Sequence, residues 1–247
     1  MLSELSNEKY SGPESDSGPP KPTKKDAAYS LAKVGLSAIP VFGGTAAEIF
    51  SAVIAPPITK RTAAWVESIS ERLKDLEKTV SGFKLENLAE NQAFTTVVLH
   101  ATQIAIRSHQ QRKIEALRNA VINTALGTNI SEDEEHIFLE YVDALTPSHL
   151  KLLEFLDNPA VYGKAHNVKY GNYSQASVST ILEEAFPEWK GKRVDYDLIA
   201  QDLYTRGLLG GQVNDLHVGG SATDQGMYAR RTTDRGKRFL QFIRAQP

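Results

Sequence analysis

The sequence contains no cysteine, which excludes thiolate nucleophiles, thiolate metal ligands and disulfides together. It also lacks a dominant charge. Lys and Arg number 28 against 30 Asp and Glu, a formal net charge of −2, so partners such as nucleic acid or an anionic membrane must be sought in local patches. No uninterrupted apolar run reaches the ~20 residues of a membrane-spanning helix. The opening MLSELSNEKYSG has neither the basic stretch nor the apolar core of a secretory signal, so the expected location is the cytoplasm. With 17 Gly, 11 Pro and 41% hydrophobic residues in 247 positions, collagen and disorder throughout are excluded, and the length suffices for one or two cores.

Catalytic signatures are missing as well. The six histidines, at 100, 109, 136, 149, 166 and 217, never fall at the i, i+4 spacing of a helical metal site, and no HExxH occurs. Gly43-Gly44-Thr45 opens a predicted helix but is followed by no lysine to hold phosphates, and there is no GxSxG elbow. Paired acids such as Glu134-Glu135 and Glu183-Glu184 lie on helices that read as solvated. The sequence therefore predicts no catalytic residue, no metal, no cofactor and no enzyme.

What is present is a strong helical texture. Residues 1–26, with Pro13, Pro19, Pro20, Pro22 and five serines, cannot bury enough surface to offset ordering entropy, and are expected to form a disordered tail. Residues 27–158 are expected to be an α-helical domain. Its first part, SLAKVGLSAIPVFGGTAAEIFSAVIAPP, is broken at Pro40 and Gly43-Gly44 and predicts two short helices, 28–38 and 44–55. Trp65, Ile69, Leu73, Leu76 and Val80 then mark one apolar stripe on a long helix from Ile58 to Val80. The same periodicity continues from Leu85 to Leu126, ending at Gly127. Ser131 with Glu134 predicts a capping box, and Thr146-Pro147 an N-cap and first-turn pair.

After Asn158-Pro159 the composition shifts toward Gly, Tyr and Asn, and residues 159–247 are expected to form a second domain. Helices are predicted at Ser177–Phe186 and Asp195–Arg206. QVNDLHV and MYARR read as two strands joined by a Gly-rich tip, and a last helix starts at the Thr232/Thr233 cap. This order predicts a winged-helix-like domain with a β-hairpin, in a mainly α fold. On its second helix Asp195, Tyr196, Gln201 and Asp202 are expected toward solvent, with Leu198, Leu203 and Leu208 inside.

Two surfaces follow as candidates. Lys190, Lys192, Arg193, Arg230 and Arg231 flank the second helix and the hairpin, where a winged helix meets DNA or a protein partner; Asp195, Asp197 and Asp202 on that helix oppose a polyanion. The bland reading of the basic residues is a solvated face that pairs with the acidic helices at 132–143; residues 131–159 hold 8 acidic residues and 1 basic. Ile39, Val41, Phe42, Phe50 and Ile54 are candidates for membrane contact if the interrupted apolar hairpin inserts reversibly, whereas a buried core hairpin is the other reading.

The phrases AIPVFGGTAAEIF, LTPSHLKLLEFL, LYTRGLL and TTDRGKRFLQFI, in order over about residues 30–245, resemble bacterial proteins of the abortive-infection alpha type. The resemblance implies a bacterial or prophage-borne protein with a role in phage defence and a winged-helix-like end; it carries no assigned catalytic residues. The combined expectation is a non-enzymatic interaction protein that contacts a protein partner or itself. A winged-helix DNA-binding regulator is the alternative.

Overall fold

The computed structural model describes residues 45–127 and 130–245, with side chains from residue 58 onward. The expected tail 1–26 and the expected helix 28–38 lie outside the described residues. The structure is mainly helical, with nine α-helices among the described residues and one two-stranded sheet.

Helix α1, Thr45–Thr79, merges the expected second short helix with the amphipathic one. The prolines at 56 and 57 lie within it and do not divide it. The stripe expected on this helix is buried at Trp65, Ile69 and Leu76, and the Trp65 indole donates to Thr102 Oγ1 at 2.9 Å. Val80 is exposed, one residue beyond the helix end.

The next periodic stretch resolves into a helical hairpin. α2, Gln92–Arg107, is capped by Asn91, whose side chain accepts from the Phe94 N–H, and it ends where Ser108 turns to extended geometry. α3, Gln111–Leu126, follows and ends at Gly127, whose φ of 85° only glycine adopts freely. α4, Glu132–Ala144, starts on the Ser131 cap. The reciprocal arm of the expected box is replaced, because the Glu134 carboxylate takes Arg238 at 2.7 Å. α5, Pro147–Asp157, is capped by Thr146 together with His149, whose Nδ1 accepts the Thr146 N–H at 3.2 Å. α6, Pro159–Ala165, follows after the Asn158 cap.

Beyond it, β1 (Gln175–Ser177) leads into α7 (Val178–Ala185), a short 3₁₀ turn at Pro187–Trp189 and α8 (Arg193–Thr205). The expected hairpin is corrected here. Residues 213–216 form a 3₁₀ turn with Leu216 buried, set by the Asp215 carboxylate accepting the Gln212 N–H at 2.8 Å. The strand β2, Gly219–Ser221, lies in the expected tip and pairs antiparallel with β1, Ala176 opposite Gly220. The segment MYARR forms no strand: the N–H groups of Met227, Tyr228 and Ala229 donate back to the carbonyls of Ser221, Thr223 and Gly226, closing turns, and that of Arg231 donates to Leu156. Only an isolated bridge, Leu209 to Thr232, joins the two limbs.

α9, Asp234–Ile243, starts on Thr233, whose hydroxyl accepts the Gly236 N–H at 3.0 Å. A side chain at Gly236 would place its Cβ 2.1 Å from the Leu208 carbonyl oxygen, so this turn requires glycine. The far end of α9 is held by α3: the Asn123 amide donates to the carbonyls of Gln241, Phe242 and Arg244, and Asn119 donates to that of Ile243. One buried cluster runs from Trp65 to Ile243, with Phe138 in ring contact with Phe239 and Phe242.

At the junction sits Asp157, the last residue of α5, 9% exposed. Its carboxylate accepts the Thr232 hydroxyl at 2.7 Å and Arg244 at 3.1 Å and pairs with Arg230 at 3.4 Å. Asp157→Ala strands a buried hydroxyl and two guanidinium partners and is expected to destabilise the chain by about 2–4 kcal/mol. Thr232→Val removes one hydrogen bond and should cost about 1 kcal/mol. Urea unfolding of both variants checks the ranking; equal losses would contradict it.

Candidate functional site

The strongest candidate surface is the outer side of α8. Its phase is fixed by Tyr196, Ala200 and Leu203, buried at i, i+4 and i+7. The Tyr196 hydroxyl donates to Glu183 at 3.1 Å, and burial followed by that carboxylate pushes the phenol up to about 12, so it stays neutral. Two sequence expectations are corrected by this phase: Tyr196 is 1% exposed, and Leu198 is 66% exposed rather than buried. Leu203 and Leu208 are buried as expected.

The turn that sets Tyr196 inward carries Val194 and Leu198 outward, one above the other, with Val194 71% exposed. Val218 is 63% exposed and follows His217, whose Nε2 lies 2.8 Å from Asp197 Oδ1 on the same helix. The sequence RVDYDLIAQDLY offers two apolar lines at helical spacing, 194/198 and 196/200/203. Hydrophobicity alone does not say which faces inward, and the missed signal is the tyrosine, whose hydroxyl needs a carboxylate that only α7 supplies.

Two of the three carboxylates of α8 are engaged. Asp197 is shared by Arg193 (3.2 Å) and His217, and Asp202 by Arg206 (3.1 Å) and His149 (3.4 Å). Asp195 is exposed. The five basic candidates separate accordingly. Arg193 is bound to Asp197, Arg230 reaches the Asp157 carboxylate and its backbone carbonyl, and Arg231 is turned inward onto the Ala229 and Gly226 carbonyls. Lys190 and Lys192 are exposed at the start of α8, with no side-chain partner among the described residues. Of the pairing expected with the acidic helices at 132–143, Arg238–Glu134 is present; Arg230 and Arg244 instead meet Asp157 at the end of α5.

Of the membrane-contact candidates, Ile39, Val41 and Phe42 lie outside the described residues, and Phe50 and Ile54 fall on α1 where only the backbone is described. Among the described residues no helix is long and apolar enough to cross a membrane, and no three His, Asp or Glu side chains are placed to hold a metal. A cleft of about 430 Å³ opens between α3, α5, α6 and the segment after α9. In its lining Arg112 pairs with Glu154 and Arg244 with Asp157, Glu115 accepts from the Gln111 amide, and Tyr162 stacks on His166 with centroids 3.9 Å apart.

His149 links α8 to α5, and burial holds its imidazole below the usual value of 6.5, against the opposing pull of Asp202. Burial does the same to His100, which lies 4.9 Å from the His136 ring. The unfolded chain therefore takes up protons on these residues first, and stability falls as pH drops below about 6.5 toward their lower folded values. The loss should be visible as a falling Tm between about pH 6.5 and 5. In His149→Gln, which keeps a hydrogen-bonding residue at the third helical position, and in His100→Gln, the slope should be shallower. An unchanged slope in both variants would refute the assignment. Comparison with protein-family models, with curated proteins and with solved structures finds no match to this chain.

Proposed function

We propose that this chain is a non-enzymatic interaction protein whose C-terminal part is winged-helix-like, with α8 in the position of a recognition helix and used for protein contact rather than DNA. The order α5, α6, β1, α7, α8, bridge, loop, bridge, α9 supports the winged-helix reading. The observation that carries the choice of partner is the exposed pair Val194 and Leu198 in the N-terminal half of that helix. Large apolar side chains exposed side by side suit a protein interface, whereas a DNA-reading helix needs donors toward phosphates and base edges. The engagement of Arg193, Arg230 and Arg231 within the chain supports the same choice. The resemblance to abortive-infection proteins supplies the setting, a bacterial defence-associated effector or adaptor.

The test is a titration of labelled duplex DNA by anisotropy between about 50 and 200 mM salt. The expected result is salt-labile binding no tighter than the non-specific range of ~10⁻⁶ to 10⁻⁴ M. A sub-micromolar, sequence-dependent Kd near physiological salt, weakened by Lys190→Ala with Lys192→Ala, would replace this reading with a DNA-binding regulator.

A further inference from the structure

We infer that His100 and His136 are the two protein ligands of a divalent transition-metal site, for an ion of the zinc, nickel or copper class, that joins α2 to α4. The site uses no residue of α8 and is independent of how that helix is read. Histidine spacing along a single helix does not reveal it, because the two imidazoles come from different helices. The fold brings them together, with ring centroids 4.9 Å apart. Two imidazoles held on one ion by bonds of about 2.0–2.1 Å, at a roughly tetrahedral angle, have their centroids about 5 Å apart. Both rings also line one small cavity of about 30 Å³, room for one or two groups the size of water. From α2 its wall takes Thr96, Val97 and His100, and from α4 it takes Glu132, Glu135 and His136.

The groups around the pair suit a cation. Glu140, one turn after His136 on α4, lies 3.3 Å from His100 Nε2. A ligating histidine commonly turns its other ring N–H to a carboxylate, which fixes the tautomer and makes the ligand nitrogen more basic. With Nε2 facing Glu140, Nδ1 is the ligand atom of His100. Apart from His136, the charges acting on His100 are Glu140 and Asp143, both negative. Burial, and then the neighbouring His136, hold the His100 imidazole toward its neutral form, which is the form that binds metal. Two imidazoles are fewer than the four protein ligands of a structural zinc site, so water completes the coordination and the affinity is modest. Glu132, four residues before His136 and on the same side of α4, lines the cavity in which that water would sit.

The experiment uses the full chain, stripped of metal by a chelator, with ZnCl2 as the probe at about pH 7.5, read by titration calorimetry and by thermal unfolding. One equivalent of zinc should bind saturably below about 1 mM, and at a tenfold excess over Kd the Tm should rise by about 3–6 °C. MgCl2 should do neither, since that ion takes oxygen ligands. His100→Gln and His136→Gln, the latter at an exposed position, should each weaken zinc binding at least about tenfold, and Glu140→Gln about tenfold through the orientation of His100. Lowering the pH to about 5.5 should release the ion as the imidazoles protonate. His109→Gln, at an exposed histidine outside the pair, should bind as the wild type does. The inference is overturned if zinc shows no saturable binding up to about 1 mM, or if His136→Gln binds it with unchanged affinity. An equal loss in His109→Gln would mean adventitious binding to surface histidines and overturns it as well.

Discussion

The Asp157 carboxylate is the constraint on which the arrangement of the C-terminal half depends. It closes α5 and is nearly buried, yet it is met by three donors from two other places in the chain: Thr232 and Arg230 from the returning limb, and Arg244 from beyond α9. A carboxylate at this depth is tolerated only when its oxygens are matched. The match fixes where the limb after the β2 loop must pass. Once Thr232 is held, its bridge to Leu209 and the Thr233 hydroxyl bond to the Gly207 carbonyl at 2.6 Å bring the end of α8 to the start of α9. The glycine at 236 lets that start approach the Leu208 carbonyl closely.

The opposite end of α9 is specified with equal economy. Its final carbonyls have no partner within the helix, and Asn119 and Asn123 on α3 supply four donor contacts to them. Both ends of the last helix are thus set by side chains from elsewhere in the chain, one group near residue 120 and the other near residue 157. Between them the aromatic cluster of Phe138, Tyr141, Phe239 and Phe242 fills the interior, and the Arg206 and Arg235 guanidiniums lie over the Tyr141 ring. The end of α8 is therefore tied to α4, α5 and α9 at once. The outward turn of Val194 and Leu198 is a consequence of that attachment and not of their own packing.

Helices were legible in the sequence wherever a local rule decides them. Ser131, Thr146, Ser177 and Thr233 all act at helix starts, and Gly127 ends α3, because caps are read by the backbone within three residues. What the sequence did not reveal depends on distant partners. The strand register pairs residues 175–177 with 219–221, a separation no local pattern encodes. The backbone amides of MYARR close turns onto residues 221–226 and reach Leu156 in place of a hairpin partner. Which side of α8 is buried turned on a hydroxyl of Tyr196 finding Glu183. On the candidate surface, residue type does not reveal which of the five basic residues the fold has already claimed: Arg193, Arg230 and Arg231 have partners within the chain.

That last distinction has a quantitative side that bears on function. A guanidinium bound to a buried carboxylate or a backbone carbonyl can reach a phosphate only by giving up an interaction worth about 1.5–3 kcal/mol. This applies to Arg230 and Arg231; the exposed Arg193–Asp197 pair, four residues apart on α8, is worth only about 0.3–0.5 kcal/mol, and Lys190 and Lys192 have no side-chain partner among the described residues. Two phosphate contacts release about two counterions and give a salt slope near −1.8, whereas proteins that hold duplex DNA through about 6–10 contacts have slopes several times steeper. Two lysines supply a small part of what such a polyanion contact draws on, and the side chains exposed next to them, Val194 and Leu198, offer apolar surface and no donors.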